Sequence, residues 1–263
     1  MAAGEVSAPH GRILLTGAAG GIGRAFFADA RERYRFRLAD RVYEAAGPTD
    51  DPNHEIMPLD IGDLDACQRA CADVSTVLHL AADANPDADF YGSLLENNIK
   101  GTYNIFRAAK DQGCRRVIFA SSLWVVGGYP TDTQAWADSP LRPVNLYGVS
   151  KCFGEAVAAY FARAEGLSSV VVRIGAYDNG AADNWLRQEP SVSTLTSYVS
   201  ARDLNQLLIR CIETPNITFA IAHGLSDNRF KRLDLTSTRA QFGYQPQDDA
   251  FDLFRADLSE WFR

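Results

Sequence analysis

RILLTGAAGGIGRAFFADA, residues 12–30, runs from an unbroken apolar segment through three spaced glycines into an amphipathic stretch. Residues 12–17 read as a buried strand and 21–34 as a helix, so Gly17, Gly20 and Gly23 fall between the two. Each glycine meets a different demand: Gly17 permits a tight turn, Gly20 lets a pyrophosphate approach the backbone, and Gly23 lets helix and strand pack closely. The helix N-terminus adds unpaired N–H groups and the positive end of its dipole. Glycine spacing alone is weak, but a strand–loop–helix setting makes it strong, so the stretch predicts a phosphate-binding loop.

Working outward, apolar runs at 35–40, 55–60, 75–81, 115–121, 168–175 and 217–224 alternate with helical patterns at 63–73, 90–112, 145–165 and 200–213. Ser200 is placed to cap the last of these helices. Near-continuous apolar strands separated by helices predict a parallel sheet covered on both faces. Right-handed crossovers then give a doubly wound, Rossmann-type α/β fold. Residues 176–200 read as polar and loop-like. The chain is expected to form one domain over 1–263, with 1–11 a loose tail and 176–263 a substrate cap on the sheet's carboxyl edge.

The composition, 46% hydrophobic and 22% charged, is that of a globular protein. A net charge of −7 with no basic stripe argues against nucleic acid. No run approaches the ~20 apolar residues of a membrane span, and the start lacks the regions of a secretory signal. Five scattered cysteines without a Cys-x-x-Cys pair predict reduced thiols and a cytoplasmic location. Cys67 and Cys71 share a helix face, but no histidine lies close by in sequence, so no metal site is expected.

Asp40 ends the second strand, where a carboxylate accepts hydrogen bonds from both ribose hydroxyls of adenosine and repels a 2′-phosphate. The expected cofactor is therefore NAD, with Arg41 a countervailing cation beside it. Asp60, ending the third strand, either meets the adenine side or caps the following helix. Tyr147 and Lys151 stand four residues apart, on one helix face. An ammonium near a phenol favours the phenolate, so Lys151 is expected to bring Tyr147 from ~10 toward neutrality and make it a general base. The hydroxyl completing such a site is Ser121 or Ser122, at the end of the fifth strand.

TGAAGGIG (16–23), Asp40 in LAD, LDIGD (59–63), HLAA (79–82), NNIKGTYNIFRAA (97–109), FASS (119–122) and YGVSK (147–151) together resemble the extended short-chain dehydrogenases/reductases, over about residues 12 to 175. The resemblance implies Ser122, Tyr147 and Lys151 as catalytic residues, with Ser121 as neighbour. It implies cofactor contacts from Gly17, Gly20, Gly21, Ile22, Gly23, Asp40, Asp60, Ile61, Leu80, Ala81, Ala82, Asn98 and Lys151, with Asn98 also supporting the active-site geometry. His79 is expected to pack beside the cofactor rather than perform chemistry.

RPVNLYGVSKCFGE (142–155), VVRIG (171–175) and 223–249 resemble a compact branch of that family. It contains the uronate dehydrogenases and the archaeal NAD-dependent glucose-6-phosphate dehydrogenases, with sulfoquinovose dehydrogenase a further relative. The implied reaction is NAD-dependent oxidation of the C1 hydroxyl of an aldose to a lactone. The implied aldose bears an anionic group at C6: a uronate, 6-phosphate or 6-sulfonate. Leu123 and Trp124 stand where uronate dehydrogenases carry polar side chains, and Ala176 where they carry a serine, so the sugar contacts have changed. Ser121, Leu123, Trp124, Ala176 and Arg187 are the candidate substrate contacts, with Trp124 either stacking on the sugar or filling the wall. Arg187, or the cluster Arg229, Lys231 and Arg232, is the candidate anion clamp. Relatives of this kind associate through their long helices, so a homo-oligomer is expected. An NDP-sugar epimerase or dehydratase is the alternative, disfavoured by the short segment after Gly175. A non-catalytic NAD-sensing protein is a further one, disfavoured by the intact triad.

Overall fold

Seven parallel strands form one sheet, in the order β3-β2-β1-β4-β5-β6-β9. The computed structural model describes residues 11–42, 51–180, 186 and 191–254; most of the expected tail lies outside them. The strands are β1 (Arg12–Thr16), β2 (Arg35–Asp40), β3 (His54–Pro58), β4 (Thr76–His79), β5 (Arg116–Ser122), β6 (Ser168–Ile174) and β9 (Phe219–Gly224). Two-sided burial explains why they read as unbroken apolar runs. Ile13 and Leu15 point into one core layer with Phe26, Phe36 and Leu204, while Leu14 points into the other with Cys67, Phe106 and Phe161.

Helices α1 (Gly21–Ala30) and α6 (Ala201–Glu213) contribute to the first layer; α2 (Leu64–Cys71), α3 (Gly101–Asp111) and α4 (Leu146–Ala164) contribute to the second. Side-chain caps begin several of them. Asp63 accepts Ala66 N–H at 3.1 Å, Asn145 accepts Gly148 N–H at 2.7 Å, and Ser200 accepts Asp203 N–H at 3.1 Å. Two buried strand arginines serve the opposite ends. Arg37 donates to the carbonyls of Ala70 and Ala72 at the end of α2, and Arg116 to those of Cys211 and Thr214 at the end of α6. Cations there satisfy orphan carbonyls and oppose the negative helix end.

Three sequence expectations change. The helix expected over 21–34 ends at Ala30, where Arg33 and Tyr34 N–H both turn back to the Ala30 carbonyl. The helix expected over 90–112 has two parts, a π-helical segment (Phe90–Lys100) followed by α3. Over 11 residues an i→i+5 pattern and an ordinary helical one bury nearly the same positions, here Leu94 and Asn98. Residues 176–200, read as loop, contain β7 (Ala176–Asp178), α5 (Val192–Ser197) and β8 (Tyr198–Ser200). β7 and β8 pair in a separate parallel ladder, and Ser191 and Thr194 form a reciprocal cap on α5. Each element is too short to show a period. Beyond β9 lie α7 (Thr236–Phe242) and α8 (Ala250–Leu253).

Candidate active site

The glycine loop lies at the sheet's topological switch point, where β1 separates β2 from β4. Gly17 has φ +70°, and a Cβ there would stand 2.7 Å from Ala81 N, so only glycine fits. A Cβ on Gly23 would come 2.3 Å from Gly17 O and 2.8 Å from Ala18 Cα; the close contact expected between helix and strand is made to the turn itself. Gly20 caps α1 with no side chain in the way, and its N–H closes the turn onto Gly17 O at 3.1 Å.

Two adjoining cavities share Gly17, Gly20, Leu80 and Ala82. The first is also lined by Asp40, Arg41, Leu59, Ile61, Ala81 and Asn97. Asp40 Oδ2 accepts Ala19 N–H at 3.0 Å and Oδ1 accepts Arg41 N–H at 2.8 Å, which aims the carboxylate at the loop. Asp60 is outside this lining: its Oδ1 accepts Gly62 N–H at 2.8 Å, and the capping of α2 falls to Asp63.

The second cavity, about 690 Å³, is lined by Gly21, Ile22 and Gly23 on one side and Ser121, Ser122, Tyr147 and Lys151 on another. That volume suits a ligand-sized site. The N-cap Asn145 starts α4 so that Tyr147 and Lys151 face the end of β5. Ser122 and Tyr147 line this cavity together, and Ser122 Oγ accepts Trp124 N–H at 3.3 Å. Lys151 Nζ donates to the Ala120 carbonyl at 2.8 Å, 5.6 Å from the Tyr147 ring centroid and 5.1 Å from that of Phe119.

The electrostatic expectation for this pair is not met. Burial pushes the Tyr147 phenol up to about 12; the neighbouring Ser122 side chain opposes this and the Asp83 charge adds to it. Lys151 is itself lowered to about 8 by burial. Desolvation of the phenol is the largest effect on it, while Lys151 Nζ is engaged by the Ala120 carbonyl.

Asn98 supports the geometry from behind. Its Oδ1 accepts Asp83 N–H at 2.8 Å, and its Nδ2 donates to Asp83 O at 2.9 Å and Ser150 Oγ at 3.0 Å. Ser150 Oγ in turn donates to Tyr147 O at 2.7 Å. Asn98 lines neither cavity; Asn97 takes that place. His79 is buried, paired through Nδ1 with Thr16 Oγ1 at 2.8 Å, and held neutral by burial, which lowers it to about 3. Ser121 donates to Glu155 Oε1 at 2.6 Å, and Arg173 grips the same carboxylate with two bonds of 2.9 Å.

Leu123, Trp124 and Ala176 line the second cavity, while Arg187 lies outside the described residues. Of the basic cluster, Arg229 pairs with Asp249 and Asp252, and Lys231 with Asp227; only Arg232 reaches the lining. Sequence reasoning missed Tyr177, Ser193, Thr194 and Ser197 of the wall. Their one sequence signal is the Ser-x-x-Thr cap at 191–194.

Residues 13–205 match the NAD dependent epimerase/dehydratase family. The NAD-dependent glucose-6-phosphate dehydrogenase of Haloferax volcanii is 35% identical over 262 residues, covering 90% of this chain and 94% of that protein. The L-arabinose 1-dehydrogenase (NAD(P)(+)) of the same organism is 34% identical over 257 residues, covering 91% and 97%. A mutant uronate dehydrogenase from Agrobacterium tumefaciens, solved in complex with NAD, superposes with a TM-score of 0.81 at 31% identity, covering 95% of this chain and 89% of that one. The glycine turn, the carboxylate at the end of β2 and the buried Ser–Tyr–Lys cluster thus stand in a chain whose match runs from β1 into α6. This protein belongs to the NAD dependent epimerase/dehydratase family.

Proposed function

We propose that the protein is an NAD-dependent sugar dehydrogenase that oxidises the C1 hydroxyl of an aldose to the lactone. One observation carries the reading: Ser122, Tyr147 and Lys151 line the same cavity as the glycine loop. The loop fits a dinucleotide, because Gly17 and Gly20 leave backbone exposed where a Cβ would otherwise project. Gly17, Gly20–Gly23, Leu80–Ala82 and Lys151 would hold the cofactor, with Asp40 at its adenosine end. NAD, when bound, supplies the acceptor for the hydride lost from C1. Ser122 Oγ orients the C1 hydroxyl and Tyr147 Oη, as the phenolate, takes its proton. Asn98 and Ser150 position Tyr147 through its main chain. Within a single domain the stretch 176–263 contributes the cap, through Ala176, Tyr177, Ser193, Thr194, Ser197 and Arg232, while its α6 and β9 belong to the sheet and its covering layer; Leu123, Trp124 and Ala176 form the dry wall against the sugar.

The test is NADH formation across free hexoses, uronates, hexose 6-phosphates and 6-sulfonates, with UDP-sugars in parallel. Net NADH with a free sugar and none with a UDP-sugar is the expected pattern; no NADH from any free sugar, together with redox-neutral conversion of a UDP-sugar, would establish the epimerase or dehydratase reading. Asp40→Ala is expected to weaken NAD binding roughly tenfold to a hundredfold in titration calorimetry, the weight of hydrogen bonds to a charged acceptor. Unchanged affinity would remove Asp40 from the cofactor site.

Among the described residues no helix is long and apolar enough to cross a membrane. All five cysteines are free, in keeping with a cytoplasmic location. Exposed Tyr103 on α3 and Val149 and Tyr160 on α4 favour a homodimer through these helices, to be checked by light scattering.

A further inference from the structure

The names of the relatives span a phosphorylated aldose, a carboxylate-bearing one and a neutral pentose, so family membership does not choose the charge of the substrate. One side chain in the cavity does. Arg232 is only 9% exposed and lines the wall of the space that holds Ser122 and Tyr147. Its main chain is pinned on two sides: its N–H donates to Thr196 O at 2.9 Å, and its carbonyl accepts Ala135 N–H at 3.0 Å. The guanidinium donates through Nη2 to Tyr129 O at 2.5 Å and through Nη1 to Pro130 O.

These carbonyls satisfy two of its N–H groups but leave its charge uncompensated. Among the described residues no carboxylate lies within ion-pairing distance of it, whereas Arg229 and Lys231, just before it in the chain, are both paired. Burial lowers its pKa, and Asp132, exposed at the surface, is the acid that opposes the shift. A buried guanidinium stays charged and is costly without a counter-ion. Two carbonyls hold it in one place, so little ordering entropy is left for a ligand to overcome. A planar fork of donors fits carboxylate, phosphate or sulfonate.

We propose that Arg232 is the anion receptor of the substrate cavity, binding an oxyanion carried by the aldose away from C1. The assignment rests on the dehydrogenase reading above. The test compares glucose with glucuronate, glucose 6-phosphate and 6-deoxy-6-sulfoglucose, using wild type, Arg232→Gln and Arg232→Lys, each scored as the kcat/KM ratio of anionic to neutral sugar. The ratio cancels any general loss of folded enzyme. Wild type is expected to favour at least one anion, and the ratio for that anion to fall about 10- to 100-fold in Arg232→Gln. The lysine variant, with charge but no fork, is expected in between. The three anions tell the sources apart by which one wild type prefers.

A wild type that favours glucose, or a ratio unchanged in Arg232→Gln, overturns the assignment and leaves the dehydrogenase reading intact. Absence of activity on every sugar overturns that reading instead. Calorimetric binding of the three anionic sugars to the NADH-loaded protein then decides Arg232 by itself: binding by wild type and its loss in Arg232→Gln supports the receptor, and no binding by wild type sinks it.

Discussion

Tyr147→Phe is expected to bind NAD as wild type does and to lose turnover by about 10²–10⁴-fold, the usual worth of a positioned proton-transfer group. The substitution removes one oxygen from a buried ring. The ring's contact with Lys151 and the bonds of Ser150 and Asn98 remain. Stability is therefore expected to change little, so the loss reports on proton transfer. NADH formation in a stopped-flow instrument, with NAD affinity measured alongside, separates chemistry from binding. Substantial residual turnover would assign the proton to another group. The same site predicts a pH dependence. Burial and Asp83 raise the phenol to about 12, so near neutral pH the cofactor-free enzyme holds it protonated. A group that must lose its proton to act as base works better as pH rises, so kcat/KM is expected to increase with pH through the alkaline range. A profile that falls with pH would contradict a tyrosine base.

Glu155→Ala is expected to cost about 3–5 kcal/mol, the penalty for breaking a buried ion pair by removing one partner. Glu155 lies two turns beyond Tyr147 on α4, and its side chain and that of Arg173 are 6% and 2% exposed. Its loss strips Arg173 Nε and Nη2 of their acceptor, when Nη1 already has no hydrogen-bond partner. It also frees Ser121, whose main chain leads directly into Ser122. For a chain of this size that stability loss lowers the melting temperature by roughly 6–20 °C, read by calorimetry. A variant melting within a degree or two of wild type would show the pair to be dispensable. Glu155→Gln keeps an acceptor for Ser121 and is expected to lose less.

Much of the site was legible in one dimension because its signals are local. The turn at Gly17, the cap at Ser200, and the helical spacing of Tyr147 and Lys151 are all set by residues a few positions apart, whereas the cap offered to Asp60 falls to Asp63. The cap region was not legible. β7 and β8 are three residues each and hold together by pairing between segments separated by positions 179–197. Arg37 and Arg116 likewise look like interruptions of apolar strands until the helix ends they serve are brought to them.

Apolar period and glycine placement in the chain by itself determined the parallel sheet and the phosphate loop, and helical spacing paired Tyr147 with Lys151; the choice of Ser122 over Ser121 came from the family resemblance. Three matters were decided only by tertiary structure. Asn98 serves Asp83 and Ser150 rather than lining a cavity; one basic residue of three faces the active site; and Tyr147 is raised rather than lowered. The physical reason is common to all three. Burial and partner geometry depend on which distant segments pack around a group, and desolvation in such a place outweighs what a neighbour along the helix can do.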